Sequence, residues 1–175
     1  ADEHTAFRIA SMTKSFTAAA VLLLRDEGAL ALDDPIARHA PELSAVRAPT
    51  ADAPPITIRH LLTISAGFAT DDPWADRHLA ASDAEMDGYF RAGVTFAVDP
   101  GTAMEYSNLG YGMLGRIVER VTGRPLQRGV SERLLAPLGL SHTAWTREAL
   151  PSGTAVATGH RRRDQAHEPE EPLGD

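Results

Sequence analysis

The feature that most constrains the fold of this chain is a short, wholly apolar run set directly behind a Ser-x-x-Lys. Residues Ala18 to Leu24 are seven consecutive apolar side chains. Met12, Phe16, Ala19, Ala20 and Leu23 recur at spacings of three and four, the helical period, and Gly28 offers a stop. A helix that is apolar all round has no face to show to water, so it runs through a core. Seven residues fall far short of the ~20 needed to cross a bilayer. The rest of the chain must therefore wrap this helix, with Ser11 to Lys14 forming its opening turn.

The surrounding signals are mostly helical. Phe7 and Ile9 alternate with polar or small neighbours, which predicts a short strand ending near Ala10. Ala29 to Leu32 reads as an extended piece, and Asp33-Asp34-Pro35 as a turn and helix start. Residues 47–55, rich in Pro and Ala, form a loop. Thr57 caps a helix over about 58–65 that ends at Gly67. Ser82-Asp83-Ala84-Glu85 is a capping box for a helix that stops at Gly93. Val94 to Val98 is a brief extended run, followed by a turn at Asp99-Pro100-Gly101. A helix over Leu109 to Val121 is closed by Gly123, and Pro125 starts another that ends before Pro137. Helices outnumber strands, the few strands have no evident partners, and no internal repeat is present.

Composition excludes several classes. At 175 residues the chain is one ordinary domain or part of one, and 43% apolar content supports a core. A net charge of −7 lacks the basic footprint of nucleic-acid binding. Cysteine is absent, which removes disulfides, thiol catalysis and cysteine-ligated zinc. The seven histidines show no HExxH or HxH spacing, so no metal and no cofactor is expected. The chain opens at Ala1 without an initiator Met, a targeting segment or a transmembrane segment, and closes on an acidic, Pro-rich stretch from His167 to Asp175. Both ends read as those of an interior fragment.

Two singletons carry the chemistry. Arginine occurs sixteen times but lysine once, at Lys14, and the only asparagine is Asn108. Arginine cannot act as a base at working pH, whereas a desolvated lysine can. Residues i and i+3 share a helix face at roughly 5–6 Å between Cβ atoms, so Lys14 projects beside the Ser11 hydroxyl. The helix N-terminus supplies free N–H groups and the positive end of a dipole, both suited to a developing oxyanion. A neutral amine within hydrogen-bond reach can take the serine proton. Tyr106-Ser107-Asn108 sits between the Pro-Gly turn and the helix from Leu109. A tyrosine there can relay protons to and from a leaving group, and Asn108 offers an amide to a substrate carbonyl or to the lysine. Taken alone, each element also fits a plain role: a serine cap beside a surface lysine, and a buried tyrosine beside an asparagine cap.

Together, Ser11-Met12-Thr13-Lys14 opening a helix and Tyr106-Ser107-Asn108 resemble the serine β-lactamase and penicillin-binding protein superfamily. The likeness is closest to its class C β-lactamase and D-alanyl-D-alanine carboxypeptidase branch, which includes esterases and D-amino-acid peptidases. His60-Leu61-Leu62-Thr63-Ile64-Ser65-Ala66-Gly67, Pro100-Gly101-Thr102 through Gly115, and Leu138-Gly139-Leu140 through Trp145 resemble flanking segments of that family. The similarity covers about residues 5–160. It implies a bacterial serine hydrolase of α+β, β-lactamase-like fold acting on a small-molecule or peptide substrate: a β-lactam, a D-Ala peptide or a simple ester. Ser11 would be acylated, Lys14 and Tyr106 would share its proton, and Asn108 would bind substrate and steady Lys14. The compartment would be extracytoplasmic for a cell-wall peptidase or β-lactamase and cytoplasmic for an esterase.

The family's third motif, Lys-Thr-Gly or His-x-Gly, is missing; His142-Thr143-Ala144 is the nearest string and lacks the glycine. Residues 1–160 are thus expected to form a partial domain, with the nucleophile helix and helical lobe but little of the antiparallel sheet. Residues 161–175 are expected to be a loop or truncated end. Removing one oxyanion donor costs about 3–4 kcal/mol, so these residues alone are expected to be poorly active. Two alternatives are a non-catalytic binding or regulatory protein on the same fold and an independent helical interaction domain. Among other candidates, His60 reads as structural and Asp33-Asp34 and Asp71-Asp72 as turn or helix caps. Arg161-Arg162-Arg163 is a solvated run, and Trp74, Tyr89 and Phe90 line the cleft or fill the core.

Overall fold

The computed structural model describes residues 1–70, 81–164 and 166–169. Asp71, Asp72 and Trp74 lie outside them. Helix α1 spans Thr13–Asp26, preceded by a 3-10 turn at Ala10–Met12. No side chain from Phe16 to Leu24 is exposed, and Thr17, Ala20, Val21 and Leu24 are fully buried. This is the core helix that the apolar run requires. Ser11 falls in the 3-10 turn, just ahead of the first α-helical residue.

Among the described residues five further helices follow: α2 (Ile36–His39), α3 (Ile58–Leu62), α4 (Asp83–Ala92), α5 (Asn108–Thr122) and α6 (Leu126–Val130). Helix α6 runs on into a π turn at Ser131–Leu135. Short 3-10 turns stand at Pro41–Ala45 and Arg147–Ala149. Helix α5 is the long partner of α1 and also packs on α3 and α6. Its Met113, Leu114, Ile117 and Val118 join Val21, Leu24, Leu61 and Phe68 in one core. Burying such side chains contributes about 1.5–3 kcal/mol each, so the α1–α5 contact is the axis of the fold.

The start signals act as their chemistry demands. The Ser82 hydroxyl accepts from Glu85 N–H and the Glu85 carboxylate accepts from Ser82 N–H at 2.8 Å. Thr57 and His60 form the same reciprocal pair at the start of α3, each bond 3.3 Å. Asp34 accepts from Ala31 N–H at 2.8 Å, from Arg38 at 2.7 Å and from the His39 ring at 2.7 Å. Asp33 pairs with Arg59 through two bonds of 2.7 and 2.8 Å. The two acids therefore serve as separate structural tethers.

Three elements differ from expectation. Phe7 to Ile9 forms no strand; a single parallel bridge joins Ala6 to Val156, and both Phe7 and Ile9 are exposed. Alternation produces a strand only where a partner takes up the backbone groups. Helix α3 stops at Leu62 because Ile64 enters the left-handed region at φ 56° and Ser65 N–H turns back to the His60 carbonyl at 2.8 Å. Within residues 161–175, expected to be a loop or truncated end, β1 (His160–Arg163) pairs antiparallel with β2 (Ala166–Pro169), His160 opposite Pro169 and Arg163 opposite Ala166. Asp164 makes the turn at φ 53°, a conformation that short polar residues tolerate. The hairpin has no buried face, so no hydrophobic period announces it. It is the only multi-residue pairing among the described residues.

A buried cation ties the helical lobe together. Arg116, 8% exposed, faces Glu42, Asp83, Asp87 and Glu119 at 3.7, 3.4, 3.1 and 3.3 Å. Burial pushes the Glu42 carboxyl up, but hydrogen bonds from its own backbone N–H and from Arg120 outweigh this and hold it below the usual range. A buried arginine is tolerated only with such partners. Phe90 fills the core and Tyr89 is half-buried on α4.

Candidate active site

The site forms where the start of α1 meets the start of α5. Ala10, at φ 44°, is a non-glycine residue in the left-handed region, which costs about 1–2 kcal/mol. This kink presents Ser11 to solvent while the chain continues into the buried helix. On the facing side, Ser107 caps α5 with its hydroxyl, accepting from Gly110 N–H at 3.0 Å. Because Ser107 is the cap, Asn108 is the first helical residue and its amide oxygen accepts from Lys14.

The approach to Tyr106 is strapped to the segment after α3. Gly101 N–H donates to the Ser65 carbonyl at 2.8 Å, and Glu105 N–H to the Ile64 carbonyl at 3.0 Å. Ala97 N–H donates to the Gly67 carbonyl at 2.8 Å, and Phe68 bridges Phe96. His60 sits beneath this strap. Its Nδ1 accepts from the helix cap, and burial holds the ring below the ordinary histidine range. It belongs to the scaffold.

All four residues singled out in the sequence meet. Ser11 Oγ lies 2.6 Å from Tyr106 Oη across 95 residues of sequence. Lys14 Nζ donates to Ser11 Oγ at 3.1 Å, to Tyr106 Oη at 2.9 Å and to Asn108 Oδ1 at 2.5 Å. The amine thus has an acceptor for each of its three donors. Lys14, Tyr106 and Asn108 are half-buried while Ser11 is open. An exposed hydroxyl backed by a half-buried amine and phenol is an arrangement that can activate a nucleophile.

One neighbour escaped the sequence reading. Tyr111 places its ring under Lys14, with Nζ 5.6 Å from the centroid, while the Tyr106 ring lies 4.8 Å away on another side. Its position three residues after Asn108 on α5 was the available signal. Among the described residues no group of His, Asp and Glu is placed to hold a metal, and no helix is long and apolar enough to cross a membrane. His142 lies in the exposed turn after Gly139.

Comparison with known proteins places this geometry in context. The family model for Beta-lactamase matches residues 1–175. Esterase EstB of Burkholderia gladioli is 37% identical over 150 residues, covering 79% of this chain and 38% of EstB. The D-alanyl-D-alanine-carboxypeptidase/endopeptidase AmpH of Escherichia coli K12 is 29% identical over 142 residues, covering 79% of this chain and 36% of AmpH. The octameric penicillin-binding protein homologue from Pyrococcus abyssi superposes with a TM-score of 0.76 at 26% identity, over 93% of this chain and 38% of that one. The chain spans less than two fifths of the length of these relatives.

Proposed function

This chain belongs to the beta-lactamase family, and on that premise we propose that it is a serine hydrolase acting through a Ser11 acyl-enzyme on an ester or amide. The supporting observation is the contiguous hydrogen-bonded cluster of Ser11, Lys14, Tyr106 and Asn108 at the head of a buried helix. In this reading Ser11 Oγ attacks the substrate carbonyl carbon. Its proton passes along the short bond to Tyr106 Oη, which accepts it as a phenolate, or along the bond to Lys14 Nζ, which accepts it as a neutral amine whose two N–H groups stay on Tyr106 and Asn108. Lys14, donating to both oxygens, stabilises negative charge on either. The oxyanion is met by the Ser11 backbone N–H, one of the first-turn donors that no intrahelical carbonyl occupies. The relay returns the proton to the leaving nitrogen or oxygen as that bond breaks. Water then takes the place of the serine, and the same proton path releases the acid. Asn108 holds Lys14 on station and presents its amide to the substrate.

Esterase EstB and carboxypeptidase AmpH make an ester and a D-alanyl peptide the first substrate classes to test. Intact-mass spectrometry of the purified protein, incubated with an activated short-chain ester and separately with a penicillin, measures the acyl-enzyme directly. A mass increase that disappears in Ser11→Ala supports the reading. A transient ester adduct identifies an esterase, a persistent penicillin adduct a penicillin-binding protein, and a penicillin adduct that turns over a β-lactamase. Binding of either compound by the folded protein without a covalent adduct would overturn catalysis and leave a binding role.

A further inference from the structure

The geometry assigns Tyr111 as the positioning residue that holds the Lys14 amine against Ser11 and Tyr106. This rests on the serine-hydrolase reading of the site and adds to it a residue outside the Ser-x-x-Lys and Tyr-x-Asn pair. A lysine amine sits on a flexible four-carbon stem, so keeping it in one place needs more than hydrogen bonds to groups that themselves change during reaction. Of its three acceptors, the Ser11 and Tyr106 oxygens gain, lose or share protons at each step. The Asn108 amide and the Tyr111 ring do not. Asn108 and Tyr111 stand at i and i+3 on one face of α5, so the same helix face offers the amine both an amide oxygen and an aromatic face. An ammonium within about 6 Å of a ring centroid is attracted by the ring quadrupole, and the 5.6 Å to Tyr111 lies inside that range.

The two tyrosines around Lys14 differ in what they do with their hydroxyls. The Tyr106 hydroxyl points into the cluster. The Tyr111 hydroxyl donates instead to the Leu62 carbonyl at 3.1 Å. That carbonyl is in the last turn of α3, where helix acceptors lack intrahelical partners. Burial first, and the neighbouring Tyr106 second, push the Tyr111 phenol above its ordinary range, so it stays a neutral donor. The ring is thereby tethered at its far end to the end of α3, and its face is offered to the lysine. Tyr111 acts through Lys14 and is not placed to touch substrate.

The test uses Tyr111→Phe, which keeps the ring, and Tyr111→Leu, which removes it. Lys14 is the only lysine in the sequence, so protein labelled with 13C at lysine Cε reports this amine in one NMR signal, assigned by its loss in Lys14→Arg. The ring-stacked signal is expected to hold its shift in Tyr111→Phe and to move downfield in Tyr111→Leu. Activity with an activated ester is read alongside. A cation–π contact of this kind corresponds to about 2- to 30-fold in rate. The expectation is a kcat loss in that range for Tyr111→Leu, an unchanged KM, and recovery in Tyr111→Phe. Equal damage in both variants would assign the effect to the Leu62 tether and overturn the proposal, as would a lysine signal that is the same in all three proteins. Absence of a Ser11-dependent adduct in the unmodified protein would instead sink the hydrolase reading, while the lysine signal would still decide whether Tyr111 seats the amine.

Discussion

Replacing Gly67 by alanine tests how the Tyr106 segment is held. A Cβ at Gly67 would lie 2.2 Å from the Val98 carbonyl oxygen and 3.1 Å from its carbon. These are backbone atoms, so no side-chain rotation relieves the clash. Gly67 also sits at φ 81°, which costs an alanine about 1–2 kcal/mol. Moving residues 97–98 away strains the bonds that Ala97 and Val98 N–H groups make to the Gly67 carbonyl, at 2.8 and 3.4 Å. Losing the shorter one costs about 1 kcal/mol. The sum is a destabilisation of roughly 2–3 kcal/mol. The displacement should also travel, because Gly101 and Glu105 are bonded to the residues just before Gly67 and lead into Tyr106. Gly110→Ala is the matched control. Its Cβ would meet Leu61, Ser107 and Phe68 side-chain atoms at 3.6 to 3.7 Å, ordinary contact distances. A helical glycine replaced by alanine gains up to about 1 kcal/mol, so this variant should be neutral or stabilised. Urea unfolding gives both values, and the rate of Ser11 adduct formation gives the transmitted effect. A Gly67→Ala protein within about 0.5 kcal/mol of the parent, or a Gly110→Ala protein equally damaged, would refute the strap argument.

Three further outcomes are expected. Arg116→Met should destabilise the fold by about 3–5 kcal/mol in urea, because it leaves Asp87 and Glu42 facing each other without the shared cation; a change below 1 kcal/mol would show that Arg120 alone neutralises them. Lys14→Arg should slow adduct formation by about 100-fold or more while leaving a folded protein, since a guanidinium keeps the charge but cannot take a proton; mass spectrometry with time points reads this. Thermal stability should fall in two stages on acidification. His60 is held below its ordinary 6.5 by burial, so its contribution is complete above about pH 6.5 and is lost as pH falls through the folded value. Asp34 is held below its ordinary 3.8, first by the bond from His39 and then by Ala31 N–H, so its share persists until pH drops below about 3.8. Melting curves of His60→Gln should lack the first stage.

Much of this protein was legible in its sequence because much of it is decided within four residues. The Ser82/Glu85 capping box and the Thr57 cap involve only neighbouring backbone groups, and both formed; that His60 returns the bond to Thr57 emerged only in the structure. Lys14 lies beside Ser11 because helical geometry puts i and i+3 on one face. The apolar run to Leu24 had to turn away from water, and none of its side chains is exposed. Even the family likeness rests on such local strings.

The rest depended on contacts that no local pattern encodes. The meeting of Ser11 with Tyr106, 95 residues apart, exists because α1 and α5 pack along their apolar faces and bring their first turns together. Arg116 is a buried hub only because α4, α5 and the Pro41–Ala45 turn converge on it. Phe7 and Ile9 had the alternation of a strand, but among the described residues pairing stops at the single Ala6–Val156 bridge. His160–Arg163 had no such alternation and paired, because backbone hydrogen bonds between strands need no apolar face. Tyr111 was visible as a letter near Asn108, but its hydroxyl could be assigned away from the cluster only once Leu62 was found opposite it. Residue chemistry and short-range geometry supplied the parts of the site. Close packing between distant segments, which depends on the shapes of both surfaces at once, set them within hydrogen-bond reach.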